Sequence, residues 1–277
     1  MRIALLQMRG GIDPAANARV LTDAAREAKA RGAAMLFTPE MSNLIDRDRE
    51  RAAGSVATEE DDPTLRAVRA AAAERGLWVH LGSIAVRRDD GRFANRGFVI
   101  DDRGAIRARY DKLHLFDVDL PTGERWRESA VYAPGESAVA AETPAGMLGL
   151  SVCYDLRFPA LYQALSGAGA TVLTVPSAFT RPTGAAHWHV LLRARAIENA
   201  AFVVAAAQAG VHEDGRETYG HSLVVDPWGE VLIDMGGEPE LGIVDLDPAR
   251  VAEARARVPV IQHRRPIPSI PSVAVAS

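Results

Sequence analysis

Several residue types are scarce in this sequence, and each shortage excludes a class of protein. Its 277 residues include one cysteine, Cys153, so intrachain disulfides and cysteine-rich zinc sites are impossible. No run of about 18 apolar residues is present to span a bilayer, and the short apolar opening lacks the basic start and cleavage site of a secretory signal. The net charge of -4 at pH 7 gives no attraction to nucleic acid or to anionic membranes. We therefore expect a cytoplasmic protein whose partners include neither nucleic acid nor a membrane.

Lysine is almost as scarce as cysteine. The sequence contains two lysines, Lys29 and Lys112, against 30 arginines. Because arginine supplies nearly every positive charge, a retained lysine is a candidate for work that requires a compact ammonium group. Lys29 lies in AAREAKARG on a predicted exposed helix face, which is typical of a solvated charge. Lys112 lies between apolar residues in RYDKLHLF, where an unpaired charge would be costly.

Short apolar runs alternate with helical patterns along the whole chain. Residues 3–8, 33–40 and 146–155 are predicted as strands, and residues 14–31, 63–76 and 187–200 as helices. Strands buried on both faces, with helices between them, predict a layered α/β domain. A Rossmann fold is the competing architecture, but the MRGG segment after the first strand lacks the G-x-G-x-x-G spacing of that fold.

Three polar residues, Glu40, Lys112 and Cys153, stand at the ends of apolar runs. Each of them has an ordinary explanation: a helix cap, one half of an ion pair, and a small buried apolar side chain. Together they supply the groups for acyl transfer, namely a carboxylate base, an ammonium group that stabilises an oxyanion, and a nucleophile. Periodicity alone leaves open whether the three meet in space.

The segments around these residues resemble a known family. FTPEMSN, YDKLHLFD and LSVCYDLRFP, in this order, are similar to the Glu–Lys–Cys signatures of the nitrilase superfamily of carbon–nitrogen hydrolases. The similarity continues through PSAFTRPTGAAHWHVLLRARAIENAAFVVAAAQ and YGHSLVVDPWGEVL to PVIQHRRP, and so covers nearly the whole chain. It implies a four-layer α-β-β-α sandwich as a single hydrolase domain over residues 1–258. It also implies a homodimer or larger homo-oligomer, with a C-terminal extension over residues 259–277 at a subunit interface.

The resemblance implies a role for each catalytic candidate, without a metal or an organic cofactor. Cys153 is the expected nucleophile, Glu40 the expected general base and acid, and Lys112 the cation that holds the oxyanion. Glu128, in RWRESAVYAPG, matches a second glutamate that orients the lysine and the base. The backbone N–H of Tyr154 is expected to share the oxyanion with the lysine.

The resemblance also implies a substrate pocket lined by Tyr154, Arg157, Phe179 and Thr183. Arg157 lies four residues after the cysteine, where this branch of the family has an arginine that binds the substrate carboxylate. The planar guanidinium fork suits that bidentate contact. The ordinary alternatives for Arg157 are an ion pair with Asp155 and a charge at a helix start.

The expected substrate is a small amide of an α-keto acid, because CYDLRFP and the HW segment resemble the branch that acts on such amides. Deaminated glutathione is the preferred candidate; its γ-amide would be cleaved through a thioester with release of Cys-Gly. The alternative is an ω-amidase acting on α-ketoglutaramate or α-ketosuccinamate. More remote alternatives are another aliphatic amidase, an N-carbamoyl hydrolase, or a non-catalytic interaction protein on the same scaffold.

Two positions depart from the family pattern. The TG-P-AHWE segment reads TGAAHWHV, with Ala185 in place of proline and His189 in place of glutamate, and the lost acid could alter substrate choice. A papain-like hydrolase would need a histidine base such as His187, His189 or His221, but the sequence around Cys153 does not resemble papain. Because His187 and His189 are two residues apart, they cannot share a helix face, which argues against a metal site built from them.

Overall fold

The computed structural model describes residues 1–119, 123 and 125–267. The strands in chain order are β1 (Arg2–Gln7), β2 (Met35–Phe37), β3 (Trp78–Arg87), β4 (Phe93–Ile100), β5 (Ile106–Asp111), β6 (Asp117–Asp119), β7 (Arg125–Arg127), β8 (Ala140–Thr143), β9 (Gly146–Gly149), β10 (Val172–Thr174), β11 (Phe202–Ala205), β12 (Ala209–Val211), β13 (Glu217–Tyr219), β14 (Leu223–Val225), β15 (Val231–Asp234) and β16 (Glu240–Asp245). The helices are α1 (Pro14–Ala30), α2 (Arg49–Ser55), α3 (Pro63–Arg75), α4 (Pro159–Gly167), α5 (Arg181–Asn199) and α6 (Ala249–Arg257), with 3₁₀ turns at Glu128–Ala130 and Cys153–Arg157.

Two six-stranded sheets form the centre of the fold. The first has the strand order β16-β1-β2-β3-β4-β5 and the second β15-β14-β11-β10-β9-β8. Three central strands run parallel in each sheet: β1, β2 and β3 in the first, and β9, β10 and β11 in the second. The alternation along β1 separates two cores. Ile3 and Leu5 join the core shared with the second sheet, whereas Ala4 and Leu6 join the core under α1 and α3.

Helices cover the outer face of each sheet. α1 and α3 pack against each other beside the first sheet. Both begin at aspartates, Asp13 and Asp62, whose carboxylates accept backbone hydrogen bonds of the first turn. α3 ends at Gly76, whose φ of 57° is the left-handed conformation that glycine adopts without strain. α4 and α5 pack on the second sheet, which completes the predicted four-layer α-β-β-α sandwich as a single domain.

The strands that lead to the predicted catalytic residues are shorter than their apolar runs. β2 ends at Phe37, because Pro39 has no N–H group with which to continue the ladder. β9 ends at Gly149, and the chain turns at Cys153, where φ is 50°. Glu40 and Cys153 therefore lie in loops beyond the carboxyl ends of parallel strands, which is where open α/β sheets commonly form sites.

α5 is longer than predicted, because it begins at Arg181 rather than at residue 187. Pro182 lies in its first turn, where proline fits since those N–H groups have no partner within the helix. None of the helices in the described ranges is long and apolar enough to cross a membrane.

The C-terminal extension returns to the body of the protein. Arg264 donates hydrogen bonds to the Gln163 carbonyl at 2.9 Å and to Asn199 Oδ1 at 2.8 Å. Residues 268–277 lie outside the described residues. The location of residues 259–277 at a subunit interface stays a prediction.

Candidate active site

The three predicted catalytic residues meet in one buried site. Glu40 follows β2, Lys112 follows β5, and Cys153 follows β9. They are 4%, 2% and 8% exposed respectively, so water has little access to them. Lys112 Nζ lies 2.9 Å from Glu40 Oε1, and Cys153 lines the same cavity as both residues. A base and a cation are therefore in direct contact, beside the nucleophile.

Glu128 and Asn95 complete what we call the charged cluster, which consists of Glu40, Asn95, Lys112 and Glu128. Lys112 Nζ lies 2.9 Å from Glu128 Oε2 and 3.1 Å from Glu128 Oε1. Asn95 Nδ2 donates to Glu40 Oε1 at 2.9 Å and to Glu128 Oε1 at 3.2 Å. Asn95 was not predicted as a site residue. Its signal in the sequence was an amide inside the largely apolar strand FANRGFVI.

A backbone N–H group also donates to each of the two carboxylates. Ala178 N–H donates to Glu40 Oε2 at 2.8 Å, and Phe116 N–H donates to Glu128 Oε2 at 2.7 Å. Gln208 Nε2 donates to the Glu40 carbonyl at 2.9 Å and fixes the loop itself. The carboxylates are therefore oriented before any substrate arrives, which is the arrangement that acid–base and electrostatic catalysis require.

Cys153 stands on a sharp turn between β9 and α4. Its φ of 50° is rare for a residue with a side chain. Its own N–H donates to the Pro176 carbonyl at 2.9 Å, and a 3₁₀ turn follows over Cys153–Arg157. The turn presents the sulfur to the cavity instead of burying it in the sheet.

Asp155 ties this turn to the loop that carries Lys112. Its buried carboxylate accepts hydrogen bonds from Val152 N–H at 2.9 Å and from Tyr110 Oη at 2.7 Å. It also accepts the His114 N–H at 3.0 Å and lies 2.7 Å from His114 Nδ1. Because Tyr110 and His114 flank Lys112, Asp155 fixes the distance between the nucleophile and the cation. The ordinary expectation of an Asp155–Arg157 ion pair is wrong, since these other donors occupy the carboxylate.

The charges in the site follow from burial and pairing. Burial alone would raise the pKa of Glu40, but Lys112, the Cys153 thiol and Asn95 together bring that pKa below its ordinary value. Burial alone would lower the pKa of Lys112, but Glu128 and Glu40 raise it well above its ordinary value. A carboxylate and an ammonium group therefore face each other at neutral pH.

The pKa of the Cys153 thiol is shifted in the opposite direction from that of a typical reactive cysteine. Burial raises the pKa of Cys153, and the nearby Glu40 charge raises it further, against the opposing effects of Lys112 and the Ala178 N–H. The resting pair at neutral pH is therefore a thiol beside a carboxylate that is ready to accept its proton.

A cavity of about 730 Å³ opens onto these groups. Its lining includes Glu40, Lys112, Phe116, Trp126, Glu128, Tyr132, Cys153, Tyr154, Phe179, Thr183 and Arg216. Tyr154, Phe179 and Thr183 are thus on its wall, where the sequence predicted them. Arg157 is not among the lining residues described. Its guanidinium carbon lies 5.4 Å from the centre of the Phe179 ring and its Nη1 lies 3.3 Å from His187 Nδ1, so its role in binding a carboxylate stays a prediction.

The two departures from the family pattern lie outside the cavity wall. Ala185 is exposed on α5, and His189 Nε2 lies 2.9 Å from Asp234 Oδ2. His221 Nδ1 lies 2.9 Å from Asp234 Oδ1, so His189, His221 and Asp234 form a group with the donor types of a metal site. Among the described residues neither histidine lines the cavity, nor does His187, which argues against a papain-like pair with Cys153.

The chain matches the carbon–nitrogen hydrolase family over residues 2–256 and therefore belongs to that family. A deaminated glutathione amidase of Yersinia enterocolitica is 38% identical over 271 residues, which cover 97% of this chain and 94% of the relative. The deaminated glutathione amidase of Homo sapiens is 41% identical over 269 residues, which cover 95% of this chain and 82% of the relative.

An amidase from Nesterenkonia sp. AN1 has the same fold, with a TM-score of 0.77 and 30% identity over 93% of this chain and 98% of that one. Its structure, determined for a Glu→Gln variant, contains acrylamide joined to the active-site cysteine by Michael addition. The predicted family, fold and enzyme class are confirmed: this chain is a carbon–nitrogen hydrolase of the amidase type.

Proposed function

We propose that this enzyme hydrolyses the γ-amide of deaminated glutathione through a thioester on Cys153. The observation that carries the proposal is that Cys153, Glu40 and Lys112 line one cavity, with Lys112 Nζ 2.9 Å from Glu40 Oε1. The relatives named for this activity cover nearly the whole chain. A cavity of about 730 Å³ is within the usual range for small-molecule sites and has room for a tripeptide-sized substrate.

In the first half-reaction, Glu40 accepts the thiol proton as the sulfur of Cys153 attacks the amide carbonyl carbon. The oxyanion is held by Lys112 Nζ and by the backbone N–H of Tyr154. Glu40 then gives its proton to the amide nitrogen, the carbon–nitrogen bond breaks, and Cys-Gly leaves as the amine. The acyl group stays on the sulfur as a thioester.

In the second half-reaction, Glu40 accepts a proton from water, whose oxygen attacks the thioester carbon. The tetrahedral adduct collapses, the carbon–sulfur bond breaks, and the α-keto diacid leaves. The proton held by Glu40 returns to the thiolate of Cys153, so atoms and charge balance over the cycle. Glu128 takes no proton in this scheme. It accepts hydrogen bonds from Lys112 and Phe116, and its role is to hold the ammonium group in position.

A second candidate substrate is α-ketoglutaramate, whose hydrolysis at the same site would make the enzyme an ω-amidase. It shares the α-keto acid portion of deaminated glutathione and differs in its leaving group, which is ammonia. The size of the cavity favours the larger substrate.

We also propose that the enzyme works as a homodimer or larger homo-oligomer. Exposed apolar side chains on α5 and towards the C-terminus support this: Val190, Ile197, Val258 and Ile267 are 68%, 49%, 47% and 83% exposed. Light scattering of the purified protein measures the subunit number directly. The cytoplasmic location stays a prediction that cell fractionation tests.

The experiment is a steady-state assay of the wild type and of Cys153→Ala with deaminated glutathione and α-ketoglutaramate offered separately. The thermal unfolding midpoint of the variant serves as the control for folding. A preference of the wild type for deaminated glutathione, with an inactive and folded variant, supports the proposal. A preference for α-ketoglutaramate would show that the enzyme is an ω-amidase. An active Cys153→Ala variant would show that the thioester mechanism is wrong.

A further inference from the structure

One wall of the cavity is built from an indole ring between two guanidinium groups. The guanidinium carbon of Arg216 lies 4.9 Å from the centre of the Trp126 ring, and that of Arg47 lies 5.6 Å from it. All three residues line the same cavity as Cys153. We call Arg47, Trp126 and Arg216 the arginine–indole wall.

The wall presents buried donors that the described part of the protein leaves unused. Arg216 Nε and Trp126 Nε1 are buried, and neither has a hydrogen-bond partner there. Arg216 pairs with Asp214 at an Nη2–Oδ2 distance of 3.6 Å, which is too long for a hydrogen bond, and that oxygen also lacks one. Buried N–H groups are nearly always satisfied. Two unsatisfied donors on a cavity wall therefore indicate a ligand with acceptor atoms.

Two other arginines of the cavity, Arg92 and Arg127, are already occupied. Arg127 Nη2 lies 2.9 Å from both carboxylate oxygens of Asp119. Arg92 Nη2 donates to the Tyr132 carbonyl. Arg216 differs from these two in having a buried donor without a partner, which a planar carboxylate would supply.

The position of the wall relative to Glu40 indicates which end of the substrate it meets. Arg216 lines the same cavity as Glu40 and Cys153, whereas Arg157 is not among the lining residues described and contacts Phe179 and His187. The leaving nitrogen must approach Glu40 to receive its proton. The amine portion of the substrate therefore lies in the cavity that Arg216 lines.

We propose that Arg216, assisted by Trp126 Nε1 and Arg47, binds the terminal carboxylate of the leaving amine. The inference rests on the proposed thioester mechanism and assigns the wall to the glycine carboxylate of the Cys-Gly portion. It makes these residues determinants of leaving-group specificity. A substrate that releases ammonia has no group to place there.

The test compares three substrates: deaminated glutathione, its glycine carboxamide, and α-ketoglutaramate. With the wild type, replacing the glycine carboxylate by the amide should lower kcat/KM by about 10²-fold, mainly through KM. Arg216→Gln should lower kcat/KM for deaminated glutathione by a similar factor and leave α-ketoglutaramate within about twofold. The two changes together should cost no more than either alone, since both remove the same contact.

Two further variants separate binding from folding. Trp126→Phe keeps the ring and removes the indole N–H, and should raise KM for deaminated glutathione alone. Arg26→Gln, on α1 away from the cavity lining and with a 63% exposed side chain, removes the same charge and should change kcat/KM for neither substrate.

The outcomes distinguish the inference from the proposed function. If the wild type cleaves deaminated glutathione and its glycine carboxamide equally well, the inference is overturned and the mechanism stands. The inference is also overturned if Arg216→Gln lowers kcat/KM equally for deaminated glutathione and for α-ketoglutaramate. If the wild type cleaves α-ketoglutaramate alone, the proposed substrate fails. The wild-type comparison needs no variant to fold.

Discussion

The charged cluster and the arginine–indole wall face the same cavity but are satisfied in different ways. In the cluster, each carboxylate of Glu40 and Glu128 has partners for both of its oxygens, drawn from Lys112, Asn95 and the backbone. In the wall, Arg216 Nε and Trp126 Nε1 have none among the described residues, whereas in the cluster the unpaired atom is the uncharged Oδ1 of Asn95. Groups that move protons are held by the protein, whereas groups that recognise the substrate are left open for it.

The difference has a physical reason. A base and an oxyanion-binding cation must be oriented before the reaction, because reorganising them during it would raise the barrier. A binding group gains most when its hydrogen bonds form only with the correct ligand, because an analogue that lacks the acceptor then leaves a buried donor unpaired. Changes in the cluster should therefore affect both rate and stability, and changes in the wall should affect selectivity.

The largest expected effect comes from breaking the cluster with Lys112→Met. The variant leaves two buried carboxylates facing each other, so we expect a stability loss of about 3–5 kcal/mol. Its kcat should fall by at least about 10³-fold because the oxyanion loses its cation. Urea unfolding and steady-state kinetics measure both effects. Lys29→Met is the matched control, since within the described part of the chain the exposed Lys29 ammonium donates only to the Gly76 carbonyl, at 2.7 Å. It should change kcat by less than about twofold.

A smaller effect is expected when the link between Cys153 and Lys112 is loosened by Asp155→Asn. One carboxylate oxygen becomes an amide donor, which leaves buried N–H or O–H donors of Val152, Tyr110 or His114 unpaired. We expect a stability loss of about 2–3 kcal/mol and a fall in kcat of about 10²-fold. Unaltered kinetics in a destabilised variant would show that Asp155 supports the fold without positioning the nucleophile.

The pH dependence tests the proton balance inside the cluster. The pKa of Glu40 lies below its ordinary value of 4.5, so the carboxylate is still ionised at pH 4.5. On the acid side, kcat/KM should therefore decline with a midpoint below pH 4.5. The sign for stability is the same: the contribution of Glu40 is present above its unfolded pKa and is lost as pH falls through the folded value.

Removing the Glu40 charge should lower the pKa of the Cys153 thiol. Because Glu40 raises the pKa of Cys153, Glu40→Gln should lower that pKa and let the thiol react with iodoacetamide at lower pH than in the wild type. The assay reports one site, since the chain has one cysteine. An equal or higher pKa in the variant would contradict the description of the resting pair.

The smallest effect is expected from His189→Glu, which restores the family acid outside the cavity wall. The new carboxylate would face Asp234, so we expect a stability loss of less than about 1 kcal/mol at this half-exposed position. The kcat/KM for deaminated glutathione should change by less than about twofold. A large change in substrate preference would place position 189 in the recognition of the substrate.

The sequence predicted the fold and the core of the site because these depend on local patterns. Alternating apolar residues in β1, prolines at helix starts, and motifs around Glu40, Lys112 and Cys153 are all visible along the chain. Their meeting in space depended on the resemblance to the family, since three loops far apart in sequence converge only after two sheets have packed.

What the sequence missed are residues whose role depends on long-range partners. Asp155 appeared as an ion-pair partner for Arg157, but it binds Tyr110 and His114, more than 40 positions earlier. Trp126 and Arg216 come from distant segments and no motif joins them. A chain rich in arginine gives no local sign that one arginine is left with an unused donor.

The central claim is that acyl transfer passes through Cys153. Peptide mass spectrometry of wild-type enzyme quenched in acid during turnover of deaminated glutathione tests it most directly. We predict an α-ketoglutaryl adduct on the peptide that contains Cys153, absent from samples without substrate and from Cys153→Ala. Steady turnover with no adduct at any quench time, together with an active Cys153→Ala variant, would contradict the claim.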